Sequence, residues 1–283
     1  MSEERLAFDG LPPLSQVVKA HDLMAKKSLG QNFLFDLNLT CKIARFIPAI
    51  DQGMIIEVGP GPGGLTRALL HEGASQVIAV EKDRRCLPAL AQISEHYDGR
   101  LQVIEADALQ LDVKTLEPAP RHLASNLPYN IGTVLLTGWL EQIAQDPETY
   151  ASLTLMFQKE VAQRITASEP GDKHYGRLGV LANCLCRTES LFDIPPEAFV
   201  PAPKITSSVV QLIPRDKPLV EASIEALGKV TQAAFGQRRK MLRQSLKGLG
   251  LDVTQLCEPA GVEPTARAEQ VDIAAFGRLA AQL

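Results

Sequence analysis

Apolar residues in this chain fall into short closed runs separated by longer stretches with helical spacing. The run at 54–58 is Met-Ile-Ile-Glu-Val, too short for a helix and apolar enough for a strand buried on both faces. Similar runs follow at 77–80, ending at Glu81, at 101–104, ending near Asp107, and at 122–125 and 153–157. Two more strands are expected at 186–191 and 207–212. Between them, 65–72, 86–96, 131–144 and 158–167 carry helical patterns. An earlier helix spans about 36–46, capped by Asp36, with Leu39, Ile43 and Phe46 on one face and Pro48 ending it. Strand alternating with helix predicts an α/β fold with a doubly wound parallel sheet. A proline-rich rigid loop at 195–203 and a linker at 214–218 follow, and beyond them only helical patterns occur, with Leu242, Leu246 and Leu249 on one face. The expected organisation is an irregular N-terminal arm at 1–25, a ligand-binding domain at 26–214 and a small all-helical domain at 215–283.

Size agrees with this division, since 283 residues exceed what one core usually holds and suit one large domain plus a small one. No apolar run approaches the roughly 20 residues that span a bilayer. The N-terminus carries Glu3, Glu4 and Asp9 rather than a basic-then-apolar signal, so the expectation is a cytoplasmic protein with no membrane partner. The five cysteines include no CxxC pair and the five histidines no HExxH spacing, so no metal site is expected and the thiols read as reduced. The net charge of −4 argues mildly against nucleic acid, but the charge is segregated. Arg238, Arg239, Lys240, Arg243 and Lys247 stand in a stretch without an acid, whereas residues 248–283 carry five acids, Asp252, Glu258, Glu263, Glu269 and Asp272, against Arg267 and Arg278.

Gly59, Gly61 and Gly64 form a GxGxxG turn after a strand and before a helix, the placement that lets a nucleotide-like ligand approach the backbone. Glu81, ending the next strand, can accept both hydroxyls of a ribose, which suits NAD equally well. Pro60 and Pro62 discriminate, because each removes an N–H that a pyrophosphate would seek at a helix N-terminus. S-adenosylmethionine carries no phosphate. Glu57 beside the turn would repel phosphate yet can orient an ammonium, and Asp107 can accept from an adenine amino group. S-adenosylmethionine is therefore the expected cofactor, and S-adenosylhomocysteine its product.

Asn126-Leu127-Pro128-Tyr129, at the end of a later strand, indicates what is done with that cofactor. An exocyclic adenine amine is a poor nucleophile because its lone pair is delocalised. Hydrogen bonds from its N–H groups to the Asn126 side-chain oxygen and the Leu127 carbonyl would draw the nitrogen towards tetrahedral geometry. Pro128 stiffens the turn, and Tyr129 offers a ring on which a base can stack, worth about 1–3 kcal/mol. A base must leave its own stack to reach such a pocket.

Five motifs in order resemble those of the ribosomal RNA adenine dimethyltransferases of the KsgA type. They are Lys27-Ser28-Leu29-Gly30-Gln31-Asn32-Phe33-Leu34, the turn from Glu57 to Gly64, Asn126 to Tyr129, Phe199-Val200-Pro201-Ala202-Pro203-Lys204, and Ala234-Phe235-Gly236-Gln237-Arg238-Arg239-Lys240-Met241-Leu242-Arg243. The resemblance implies a class I (Rossmann-like) methyltransferase sheet with the helical domain appended. It implies dimethylation of two adjacent adenosines in the hairpin loop near the 3′ end of 16S rRNA, acting as a monomer on an assembling small ribosomal subunit. It adds Gln31, Asn32, Leu34, Lys82 and Ala108 to the cofactor-binding set of Glu57, Gly59, Gly61, Gly64, Glu81, Asp107 and Asn126. The catalytic set is Asn126, Leu127, Pro128 and Tyr129. Phe199, Pro201 and Lys204 would close over the target base, and Arg238, Arg239, Lys240, Arg243 and Lys247 would hold RNA. Three other readings stay open: a relative acting on large-subunit rRNA, an assembly factor without catalysis, and a NAD-dependent oxidoreductase.

Overall fold

A computed structural model describes residues 7, 9–24 and 30–283; Lys27, Ser28 and Leu29 of the first motif lie outside the described residues. Seven strands form one sheet: β2 (Met54–Val58), β3 (Val77–Glu81), β4 (Leu101–Glu105), β5 (Arg121–Asn126), β6 (Ser152–Gln158), β7 (Cys186–Ile194) and β9 (Ser207–Pro214), in the order β4-β3-β2-β5-β6-β9-β7. The β4-β3-β2-β5-β6 portion is parallel throughout. The two remaining strands, β1 (Phe33–Leu34) and β8 (Phe199–Val200), make a small antiparallel ribbon. The parallel α/β class expected from the alternation is what the chain adopts. Every residue of β2 and β3 is buried, as continuous apolar runs require.

The helices are α1 (Leu14–Ala20), α2 (Leu37–Ala44), α3 (Gly64–His71), α4 (Leu87–His96), α5 (Gly132–Gln145), α6 (Lys159–Thr166), α7 (Arg177–Leu185), α8 (Ile224–Gly236), α9 (Leu242–Ser245), α10 (Val253–Ala260) and α11 (Ile273–Ala280). Asp36 caps α2 as expected, accepting from the Asn38 and Leu39 amides. Two features depart from the sequence reading. The arm is not irregular over its described part: α1 buries Leu14 and Val18, and Leu23 is buried after it. α7 was not anticipated, because its residues are almost all buried and so lack an amphipathic period. The basic stripe spans a turn, since α8 ends at Gly236 and residues 237–241 turn before α9.

Contacts divide the chain into two compact units. One comprises residues 1–138, 148–159 and 191–211; the other comprises 139–147, 160–190 and 212–283. The second unit takes in α6 and α7 as well as the C-terminal helices, so it does not coincide with a linear cut at 214. Its packing includes Gly179 of α7, where a Cβ would fall 2.3 Å from the Ala167 carbonyl oxygen, and Asn183, whose Nδ2 donates to the Ile165 and Gly179 carbonyls at 2.9 Å.

Candidate active site

The chain leaves β2 to build β3 and β4 on one side, then returns through β5 to the other side of β2. Such a switch point opens a crevice beyond the carboxyl ends of the strands. Here it holds a cavity of about 490 Å³, within the size range of small-molecule sites. Its walls include Gln31, Asn32, Leu34, Glu57, Gly59, Gly61, Gly64, Glu81, Lys82, Asp107 and Ala108, together with all four residues of Asn126 to Tyr129. The structure therefore gathers every expected cofactor and catalytic position around one space within the first compact unit.

The glycine turn spends its own donors. The Gly59 N–H goes to the Val80 carbonyl at 2.9 Å, the Gly63 N–H to the Pro60 carbonyl at 3.0 Å, and the Gly61 N–H to Glu81 Oε2 at 2.9 Å. Pro60 and Pro62 have no N–H. From 59 to 63 nothing is left for a phosphate. Gly59, Gly61 and Gly63 all have positive φ, which a side-chain-bearing residue adopts with strain.

Three acids shape the floor and rim. Glu57 is 1% exposed and accepts from the Thr66 hydroxyl, and burial pushes its carboxyl up to about 8 despite that bond. Glu81 is also raised by burial, which outweighs its bonds from the Asp83 and Gly61 amides. Asp107 is held low by the ammonium of Lys82, whose Nζ lies 2.7 Å from Oδ2. Two buried acids with no cation beside them, and a turn whose amides from 59 to 63 are absent or already bonded, suit a cationic, phosphate-free nucleoside better than a dinucleotide pyrophosphate.

At the catalytic corner the Asn126 Nδ2 donates to the Asn32 carbonyl at 3.0 Å. This fixes the amide plane and leaves Oδ1 without a donor among the described residues. The Leu127 carbonyl likewise accepts no hydrogen bond there, whereas the Pro128 carbonyl is used by the Ile131 and Gly132 amides. The Tyr129 hydroxyl lies 2.6 Å from the buried Ser207 hydroxyl. Thr66 and Ser207 were missed from sequence: Thr66 stands just after the turn, and Ser207 lies 78 residues from its partner with no local signal.

Not every expected RNA contact faces solvent. Phe199 is 2% exposed and packs in the core, because β8 pairs it with Leu34 of β1; Pro201 and Lys204 are exposed beyond it. In the second unit, Arg239, Lys240, Arg243 and Lys247 are exposed. Arg238 is committed instead: Nε donates to Glu269 at 2.9 Å, Nη1 to the Tyr175 carbonyl at 2.7 Å and Nη2 to the Lys173 carbonyl at 3.2 Å.

Comparison with known proteins follows the same lines. A family model described as "Ribosomal RNA adenine dimethylase" matches residues 23–283. A "Ribosomal RNA small subunit methyltransferase A" from Agrobacterium fabrum is 59% identical over 97% of this chain and 98% of its own length. Its namesake from Xanthobacter autotrophicus is 58% identical over 97% and 94%. Among solved structures, the 23S rRNA methyltransferase ErmE superposes with a TM-score of 0.65 at 27% identity, covering 89% of this chain and 99% of that one. A dimethyladenosine transferase from Plasmodium falciparum gives 0.67 at 25% identity, covering 86% and 94%.

The buried Glu57 carboxyl sets a pH dependence. Its folded pKa of about 8 lies above the unfolded one, so folding takes up a proton between them and stability is greatest at the acid end. In the ligand-free protein, denaturant melts should show stability falling from about pH 5 to 8, by at most about 1.4 kcal/mol per pH unit from this group. Glu57→Gln should remove that component; an unchanged slope in the variant means Glu57 is not its source.

Proposed function

The chain belongs to the ribosomal RNA adenine dimethylase family, and from that membership we propose that it uses S-adenosylmethionine to dimethylate the exocyclic amines of two adjacent adenosines in the 3′-terminal hairpin loop of 16S rRNA during ribosome assembly. The observation that carries this reading is the Asn126 amide, pinned through Nδ2 to the Asn32 carbonyl beside a cavity where the turn's amides from 59 to 63 are absent or already bonded.

S-adenosylmethionine supplies, when bound, an electrophilic methyl group on a sulfonium. Glu81 and Asp107 would hold its adenosine end, and Glu57 with the turn its methionyl end. Gln31, Asn32, Leu34, Lys82 and Ala108 complete the walls. The remaining chemistry is presentation of the amine. Asn126 Oδ1 and the Leu127 carbonyl accept its two N–H groups, which localises the lone pair on nitrogen. The Tyr129 ring, anchored through its hydroxyl on Ser207, is a stacking surface for the base. No strong base is required, because the amine proton becomes acidic as the new bond forms. Positioning of this kind contributes about 7–11 kcal/mol to lowering a barrier.

The small-subunit substrate is favoured over the large-subunit one by the Phe235 to Arg243 signature. It is favoured too by relatives at 58–59% identity named for the small subunit, against 27% for the 23S enzyme. Residues 26–214 would then carry the cofactor and 215–283 the RNA, with Pro201 and Lys204 at the rim by the base. The protein would work as a cytoplasmic monomer. Among the described residues no helix is long and apolar enough to cross a membrane.

The deciding experiment incubates the protein with radiolabelled cofactor and small subunits lacking the modification, then maps the label. Two adjacent adenosines of the 3′-terminal loop should carry it; label confined to 23S rRNA, or none, overturns the reading. Asn126→Ala should bind S-adenosylmethionine with near-normal affinity in calorimetry while turnover drops by about a hundredfold or more, the scale of losing one preorganised hydrogen-bonding group. Near-normal turnover would refute its acceptor role. The arginine pair separates two kinds of residue. Arg239→Ala should weaken subunit binding and flatten the slope of log affinity against log salt by nearly one unit. Arg238→Ala should lower the melting temperature and leave that slope unchanged, since all three of its nitrogens donate within the protein; the reverse pattern would make Arg238 the phosphate contact.

A further inference from the structure

Arg67 sits on α3, the helix that begins at the last glycine of the cofactor turn, and it is 1% exposed. A guanidinium there needs acceptors, and the N-terminal segment supplies them. Nε donates to Asp9 Oδ2 at 2.6 Å, Nη2 pairs with Asp9 Oδ1, and Nη1 donates to the Pro12 carbonyl at 2.8 Å. The Asp9 side chain is as buried as its partner. The Tyr97 hydroxyl stands 3.4 Å from Asp9 Oδ2, and His96 Nε2 lies 2.7 Å from the Asp9 carbonyl, so the segment is held on α4 and its C-cap as well.

α1 then runs against the turn itself. A Cβ on Gly64 would come 3.1 Å from Leu14 Cδ1 and 2.7 Å from the Leu34 carbonyl oxygen. The last glycine of the motif is thus enclosed by β1 on one side and by α1 on another. Gly61, three residues earlier, is held from the cavity side by Glu81. The family match begins only at residue 23, so the segment that contacts Gly64 and neutralises Arg67 lies ahead of it.

We propose that residues 9–23 brace the cofactor turn from behind, with Asp9 and Arg67 as positioning residues that set the placement of Gly61 to Gly64 and hence the affinity for S-adenosylmethionine. The proposal rests on the cofactor reading above. Removing the Asp9 charge leaves a buried guanidinium uncompensated, which is strongly unfavourable and frees α3 to shift. A shift at the start of α3 moves the turn while leaving Asn126 and Tyr129, which belong to β5 and the residues after it, where they are. The brace therefore acts on cofactor affinity and not on the substrate end.

The test uses the full-length protein, with calorimetry for S-adenosylmethionine and initial-rate kinetics on unmodified small subunits. Asp9→Asn should weaken cofactor binding about tenfold and raise the cofactor KM in parallel, with the subunit KM unchanged. Leu14→Ala, which keeps the ion pair and thins the packing on Gly64, should weaken cofactor binding by a smaller factor in the same direction, and it serves as the reporter if Asp9→Asn does not fold. Variants that melt earlier than wild type but bind the cofactor with wild-type affinity overturn the brace alone. A wild-type protein that does not bind S-adenosylmethionine overturns the cofactor reading, and the brace with it.

Discussion

The Ser125 hydroxyl donates to the Val58 carbonyl, and this bond sits where the sheet changes its direction of growth. β2 has β3 on one side and β5 on the other, so residues 67 positions apart in the chain leave the sheet as neighbours. The register is set by Ile56 beside Leu123 and Glu57 beside Ala124, all buried. A slip of one residue would turn each side chain to the opposite face and drive Asn126 away from the crevice. Packing of two apolar strands therefore fixes the distance between the glycine turn and the Asn126 corner. Neither motif does so by itself.

Much of this could be read locally. β2 and β3 were legible because burial on both faces leaves an uninterrupted apolar run, and the turn was legible because only glycine tolerates its positive φ values. The place of Asn126 to Tyr129 on the cavity wall was legible because these residues are consecutive. Long-range pairings left no trace. Nothing near Tyr129 announces Ser207, and nothing near Arg67 announces Asp9, so the arm read as irregular although it supplies the counter-charge of the most deeply buried arginine. Arg238 stands apart from the other four basic residues for a related reason. Five basic residues look alike as letters, and only the approach of Glu269 and of the 173–175 backbone distinguishes the one whose guanidinium is tied within the protein.

The two binding tasks proposed for this chain use opposite electrostatics in opposite environments. Glu57 and Glu81 are buried in the cavity wall, so they interact strongly with a cation that displaces water and weakly with added salt. The exposed Arg239, Lys240, Arg243 and Lys247 act through high dielectric, so their attraction for phosphate is screened and reversible. An overall charge of −4 averages over both and predicts neither.

The residue type at 126 follows from its double duty. Its nitrogen donates to the Asn32 carbonyl, which ties β5 to the residue before β1, and in the proposed reading its oxygen accepts from the substrate. An aspartate there would set a carboxylate oxygen against that carbonyl, and the pair would repel. It would also place a further carboxylate in a cavity where Glu57 and Glu81 already resist ionisation. Serine offers a donor and an acceptor on one atom and cannot aim them at two separated partners. A planar amide keeps donor and acceptor apart at a fixed angle, so orienting one end orients the other. In the proposed reading the bond to the Asn32 carbonyl is therefore part of how the amine is held, and the shortest side chain that meets both requirements is asparagine.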